Sequence, residues 1–290
     1  MSHIKTSIIG LLLLAAALLG GCSSVRLAYN NAPQLTWWWL DGQFDFSREH
    51  APQVKQALGS LFEWHRSTQL PATVSFLAAA QQQAGEPLTP ALACRWQAQA
   101  REMLEPTLQR ALALAAEQSA ALGEAQFKHL EQRQAKRMAE MREDFLQADP
   151  DERRAKTLER AVSNAERLYG RLSPAQMQVL REGLAASPFD PALWLQERQR
   201  RQRELLDTLR SLAASKADGD QRLAALRAVT AHTERSPNPV YRAYQLKLTE
   251  FNCGLAARIH NAATPAQQQK AREALKAWEE DFRALAAPPV

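Results

Sequence analysis

The stretch TPAQQQKAREALKAWEEDFRAL, Thr264 to Leu285, decides the fold class. Its apolar residues Ala271, Leu275, Trp278, Phe282 and Leu285 recur at spacings of 4, 3, 4 and 3. That is the α-helical period, and it lays one apolar stripe along one side of a helix. Gln, Lys, Arg and Glu fill the intervening positions and keep the other side in water. Thr264 suits an N-cap and Pro265 the first helical position. Gln267, three residues past the cap, can hydrogen-bond back to the cap amide. The segment predicts a helix opening at Thr264-Pro265 and buried on one face.

The same logic extends outward. Tyr241, Tyr244, Leu248, Phe251, Leu255 and Ile259 form a second stripe on the preceding helix. SPAQMQVLREGL (Ser173–Leu184) matches TPAQQQKAREAL (Thr264–Leu275) at seven of twelve positions. LGEAQ (Leu122–Gln126) and LTPAL (Leu88–Leu92) are weaker relatives. Two readings stay open: good helix starts converge, or the chain carries an internal duplication. Leu172-Ser173-Pro174-Ala175-Gln176 also resembles the Leu-Thr-x-x-Gln helices of Spy/CpxP-type periplasmic chaperones, with Ser for Thr.

Composition points the same way. Ala, Leu, Gln, Glu and Arg, all good helix formers, dominate, and no stretch alternates β-branched and polar residues. Helices are expected over about Ser47–Ser67 and Pro71–Gln83. Further helices open at Thr89-Pro90, after Gly123, and at Asp149-Pro150, Ser173-Pro174, Asp190-Pro191, after Asp218-Gly219-Asp220, and at Asn238-Pro239. Pro106 is expected to kink or break its helix. Residues 124–171 hold 11 Lys+Arg and 10 Asp+Glu around a sparse stripe. They read as a long charged helical hairpin, solvated or paired with a partner. The expected fold is all-α, an elongated, bundle-like multi-helix body with short connections.

The chain opens MSHIKTSIIGLLLLAAALLGGCSS. Lys5 precedes an apolar run, Ile8 to Leu19, too short to span a bilayer stably. Residues 1–21 read as a secretory signal. Leu19-Gly20-Gly21-Cys22 resembles the lipobox of bacterial lipoproteins. That resemblance implies a diacylglyceryl group on Cys22, cleavage after Gly21 and an acylated amino terminus. Ser23 in place of Asp resembles the default outer-membrane sorting signal. The expected location is therefore the bacterial outer membrane, lipid-anchored on its periplasmic face. Residues 22–46 would be the anchored segment and 47–290 an all-helical periplasmic domain. The alternative is an ordinary signal peptide with an incidental cysteine.

Removing the leader takes only Lys5 from 36 Lys+Arg, against 31 Asp+Glu. A mildly basic, well-mixed chain lacks the concentrated stripe of a nucleic-acid binder, so no nucleic-acid partner is expected. Cys94 and Cys253 remain as an even pair in an oxidising compartment. They are candidates for a disulfide, the alternative being two buried free thiols.

Several segments together resemble a proteobacterial lipoprotein family known only as a domain of unknown function. They are the lipobox, Val25-Arg26-Leu27-Ala28-Tyr29-Asn30-Asn31, the run Trp37-Trp38-Trp39, Trp64-His65-Arg66, WLQERQRRQR (Trp194–Arg203), Phe251-Asn252-Cys253 and Ile259-His260-Asn261. The resemblance runs over nearly the whole mature chain. It implies a helical lipoprotein and carries no activity.

Chemistry is scarce. There is no HExxH, CxxC, GxSxG or P-loop. No His has a His partner three or four residues away, so no metal or cofactor is expected. His65 and His260 could meet in space; the blander outcome is two histidines in polar networks. Arg198, Arg200, Arg201 and Arg203 form a basic cluster offset by Glu197 and Glu204. It is either a salt-bridged face or a contact for anionic lipid or an acidic partner. Three consecutive tryptophans span about 200° of a helix surface, so they cannot share one stripe. At least two are expected to pack on the body, with a third free for the bilayer interface. The flexible link from Cys22 to Trp37 would reach at most about 50 Å. The expected function is a non-enzymatic binding, scaffold or chaperone-like lipoprotein, partnered by the membrane and by an envelope protein or partly folded client. The alternative is an envelope enzyme, or an accessory to one, acting on peptidoglycan through carboxylates or His65.

Overall fold

The computed structural model describes residues 24–287. Among these it holds twelve α-helices, one short 3-10 turn and no strand. The all-α reading holds. α1 (Ser24–Asn30) and α2 (Ala32–Phe44) lead into α3 (Ala51–Thr68), α4 (Leu70–Gln83) and the long α5 (Pro90–Gln118). α6 (Glu124–Phe145), α7 (Pro150–Tyr169), α8 (Pro174–Ala185), α9 (Pro191–Ala214) and α10 (Gly219–Glu234) follow. α11 (Pro239–Asn261) and α12 (Pro265–Ala286) close the chain. Residues 1–23, with the expected leader and Cys22, lie outside the described residues.

The helix starts follow their sequence signals. Thr89, Asp149, Ser173, Asp190, Asp218, Asn238 and Thr264 each cap a helix by accepting a first-turn amide on the side chain. Such a cap contributes about 1 kcal/mol. Two signals mislead. The helix expected from Ser47 begins at Ala51, because Ser47 closes a separate turn onto the His50 amide through both its carbonyl and its hydroxyl. Pro106 neither ends nor interrupts α5, which runs continuously through it.

The charged hairpin needs correction. α6 and α7 meet at their corner, where Arg160 lies over the Phe145 ring and donates to the Asp144 carbonyl. They then separate instead of pairing side by side. α6 packs on α9 and α2, while α7 packs on α12 and α8. Their apolar stripes explain this. Phe127 and Leu130 belong to one core with Leu206, Leu209 and Leu226; Met138 and Met141 belong to another with Leu195. Tyr169 instead joins Leu172, Leu180 and Ala271. A fourth core gathers Trp37, Val54 and Leu58. α12 lies along α4, α11 along α5, and α10 between α9 and α5.

The recurrent helix start has a specific task. In three copies the third-position glutamine accepts the cap amide on Oε1: Gln126 from Gly123, Gln176 from Ser173, Gln267 from Thr264. In each, Nε2 then donates to a carbonyl on another segment: Asp45, Ile259 and Arg171 respectively. A glutamate of the same shape would offer only acceptors, whereas the amide offers an acceptor and a donor together. The motif thus starts a helix and clamps a neighbour with one side chain. Gln176 is fully buried. Close by, Gly183 lets α8 approach α11, since a Cβ there would collide with Leu255.

Cys94 on α5 and Cys253 on α11 are joined, with Cα atoms 5.3 Å apart at a sequence separation of 159.

Two measurements check these interactions. Gln176→Glu keeps the acceptor but loses the donor and buries a charge, so urea unfolding should show a loss of about 2–4 kcal/mol. The same change at the more open Gln267 should cost about 1 kcal/mol or less. Reduction of the cross-link should lower stability by roughly 2–5 kcal/mol, read as a shift in urea midpoint.

Candidate functional site

α1 is held by polar contacts to distant residues. Arg26 Nε donates to Asp281 at 2.9 Å across 255 positions. The Tyr29 hydroxyl and His65 Nδ1 lie 2.7 Å apart. Arg66 donates to Asn30 and to the Leu285 carbonyl, and its guanidinium covers the Tyr29 ring. The segment before α3 is thus a docked pair of helices, not a flexible link. Its reach is set by helix geometry, about 1.5 Å per residue, so the expected 50 Å excursion does not apply.

His65 and His260 serve different networks and do not meet. His260 bonds the Tyr169 hydroxyl and the Glu86 carbonyl, both at 2.9 Å. Burial pushes the Tyr169 phenol up to about 12. His65 faces Tyr29, and burial lowers its pKa.

The tryptophans divide as their 100° steps require. Trp37 is buried, stacked on Phe46 with Lys55 above the ring. Trp38 and Trp39 are 61% and 63% exposed. One tryptophan packs on the body, where at least two were expected. Leu35, Trp38 and Trp39 stand at i, i+3 and i+4 and make one exposed apolar face of α2.

The arginine cluster also divides. Arg200 donates twice to Glu197 and once to Glu204, which in turn pairs with His232. Arg201 donates to Glu197 and lies over the Tyr241 ring. Burial alone would raise Glu197, but hydrogen bonds from Arg200, Ser236 and Arg201 outweigh it and hold the carboxyl low. Arg200 and Arg201 therefore neutralise a buried acid inside the body. Arg203 is exposed, and Arg198 is half-buried over Trp194. The other buried carboxylates are likewise engaged: Asp281 by Arg26, Glu279 by Gln81 and Arg283.

An apolar cavity lies under α2. It has a volume of about 390 Å³ and is walled by α2, α3, α5, α9 and α10. Leu40, Phe44, Leu58, Leu112, Leu209 and Val229 supply much of its surface. Thr36, Gln118, Ser119 and Thr230 are its polar members, and no ionisable side chain lines it. Its size falls in the usual range for small-molecule sites. A larger groove, about 590 Å³, runs past Phe145, Leu158 and Phe189, but Arg153, Arg154 and Arg181 line it and it is more polar. Among the described residues no group of His, Cys, Asp and Glu is placed to hold a metal ion. Nor is any helix among them long and apolar enough to cross a membrane.

Residues 43–242 match the model of a family of unknown function, DUF6279. The chain belongs to that family. No curated protein and no solved structure matches it. The DUF6279 segment contains every lining residue of the cavity except Thr36 and Leu40. It excludes α1, the tryptophan run and α12.

Sequence reasoning singled out His65 but missed the pairing of Arg26 with Asp281, which no local spacing connects; Glu279-Glu280-Asp281 reads in sequence as a solvated face, yet Glu279 and Asp281 are buried. It also missed the cavity wall, whose residues look like ordinary core positions.

A depressed histidine pKa means that the unfolded chain binds a proton near 6.5 and the folded chain only at lower pH. Burial of the neutral His65 ring therefore goes unopposed above pH 6.5, and stability is lost as pH falls through the folded value. Thermal unfolding by circular dichroism should show this loss, and His65→Gln should flatten that part of the profile. An unchanged profile in the variant would exclude the assignment.

Proposed function

We propose that this DUF6279 protein is a non-enzymatic binding protein of the bacterial envelope. In this reading Cys22 is acylated and holds the body on the periplasmic face of the outer membrane. The cavity under α2 takes an apolar segment of an envelope partner or a partly folded client. One observation carries the proposal: a cavity of about 390 Å³ with no ionisable side chain in its wall. Such a wall offers burial and little orientation, which suits capture of varied apolar chains. The position of α1 supports the tether. Only Ser23 separates Cys22 from α1, and α1 is bonded to α3 and α12. A lipid on Cys22 would therefore keep the body at the bilayer surface.

A peptidoglycan hydrolase finds less support. Glycoside cleavage uses two carboxyl groups facing one bond, one of them held protonated. Glu197, Glu279 and Asp281 are instead bound to arginine, and Glu197 is held ionised. His65 is bonded to a phenol.

The test uses residues 22–290 with Cys22→Ser, which keeps every described helix. The neutral fluorophore N-phenyl-1-naphthylamine reports on the cavity, and light scattering follows a client diluted from denaturant. The unmodified body should bind the fluorophore at micromolar concentrations and suppress scattering near one-to-one. Leu58→Trp with Leu209→Trp fills the cavity and should weaken fluorophore binding by about tenfold or more, with suppression lost. Unchanged binding in a folded double variant would remove the cavity from the function.

A further inference from the structure

A second, smaller pocket of about 160 Å³ lies on the other flank of α2, between α6 and α9. Trp39 closes it from α2, Arg133, Lys136 and Arg137 from α6, and Arg198 from α9. Glu140 is the one carboxylate in its wall, paired with Arg137 at 3.0 Å. Four cations thus face one anion.

Arg198 makes the imbalance sharper. Its Nε is buried and has no hydrogen-bond partner among the described residues. Glu197, the carboxylate next to it in sequence, is taken by Arg200 and Arg201. Burial, then the charges of Arg137 and Arg201, push the Arg198 guanidinium below its ordinary pKa. A buried guanidinium N–H with no acceptor is costly, and a phosphate oxyanion is the acceptor its planar fork fits best. The pocket has room for roughly five water volumes, enough for a phosphate group and too little for a whole lipid.

The rim identifies the source of that phosphate. Trp39 lines the pocket and also belongs to the exposed face with Trp38 and Leu35. Tryptophan is favoured at the headgroup level of a bilayer, where lipid phosphates lie. An acidic protein would satisfy the arginines but would leave this apolar face without a use. We infer that the pocket receives the phosphate of an anionic phospholipid headgroup while Leu35, Trp38 and Trp39 enter the interface. This orients the body on the membrane by a contact separate from the lipid on Cys22. Only the choice of lipid as phosphate source rests on the membrane-tethered reading.

The experiment is flotation of residues 22–290 carrying Cys22→Ser with two vesicle types, phosphatidylcholine alone and phosphatidylcholine with phosphatidylglycerol. The expected preference for phosphatidylglycerol is about tenfold or more. Arg198→Gln with Lys136→Gln should cut that preference to about threefold or less, with binding to phosphatidylcholine unchanged. Trp38→Ala with Trp39→Ala should weaken binding to both. Thermal unfolding of Arg198→Gln should change little, because the substitution removes a buried donor without a partner together with the contact over Trp194. Equal binding to both vesicles, or a stability loss in Arg198→Gln with the preference intact, would overturn the proposal. Stabilisation by inorganic phosphate without any vesicle preference would assign the site to free phosphate and end the lipid reading. Loss of flotation with a functioning fluorophore site, or the reverse, separates this proposal from the cavity function.

Discussion

Among the described residues no helix can bury more than a stripe, and everything else in the structure answers that limit. A helix with one apolar side leaves the others to water and depends on its neighbours for stability. Here the neighbours meet in four small cores instead of one. Each buried leucine contributes about 1.5–3 kcal/mol, and each core has only a few. Polar clamps join what the cores leave apart. Gln126, Gln176 and Gln267 tie helix starts to other segments, and Arg26 ties the first helix to the last. The buried Glu197 with Arg200 and Arg201 does the same work along α9 and towards Tyr241.

The fold class and nearly every helix start were legible because their causes are local. A cap side chain acts within one turn, and Pro265, Pro174 or Pro191 marks the residue after it. Partner choice was not legible. The stripe on α6 looked ready for α7, yet its residues join α9 and α2, because the shape of the facing surface decides and sequence order does not. Ser47 looked like a cap and serves a turn instead. The Cys94–Cys253 pair could be anticipated by counting, whereas the Arg26–Asp281 pair could not. The tryptophan run was half legible. Its 100° steps required a split, but only packing shows that Trp37 is the buried member.

The two candidate sites share a roof. Thr36, Leu40 and Phe44 of α2 line the apolar cavity, and Trp39 lines the basic pocket. One helix of 13 residues therefore separates an apolar space from a charged one. Neither site was visible as a motif. The cavity is an unfilled part of a core, and leucines that pack look the same in sequence as leucines that do not. The basic pocket combines residues about 60 positions apart on α6 and α9 with Trp39 and Gln43 from α2. Of the cluster that sequence did show, Arg198, Arg200, Arg201 and Arg203, the pair Arg200 and Arg201 is internal. Arg203 is exposed, and Arg198 is the member that lines the basic pocket.

The covalent bond between α5 and α11 also settles how this molecule carries tension. A pull applied at the two chain ends passes from Cys94 to Cys253 through the sulfur atoms. The residues between them form a closed ring beside the load path and feel none of the stretch directly. α1 to α4 and α12 lie outside the ring and would unravel first. The ring holds most of the DUF6279 segment and all of α6 to α10. Under such a pull the chain gives way at its ends while its middle keeps its shape.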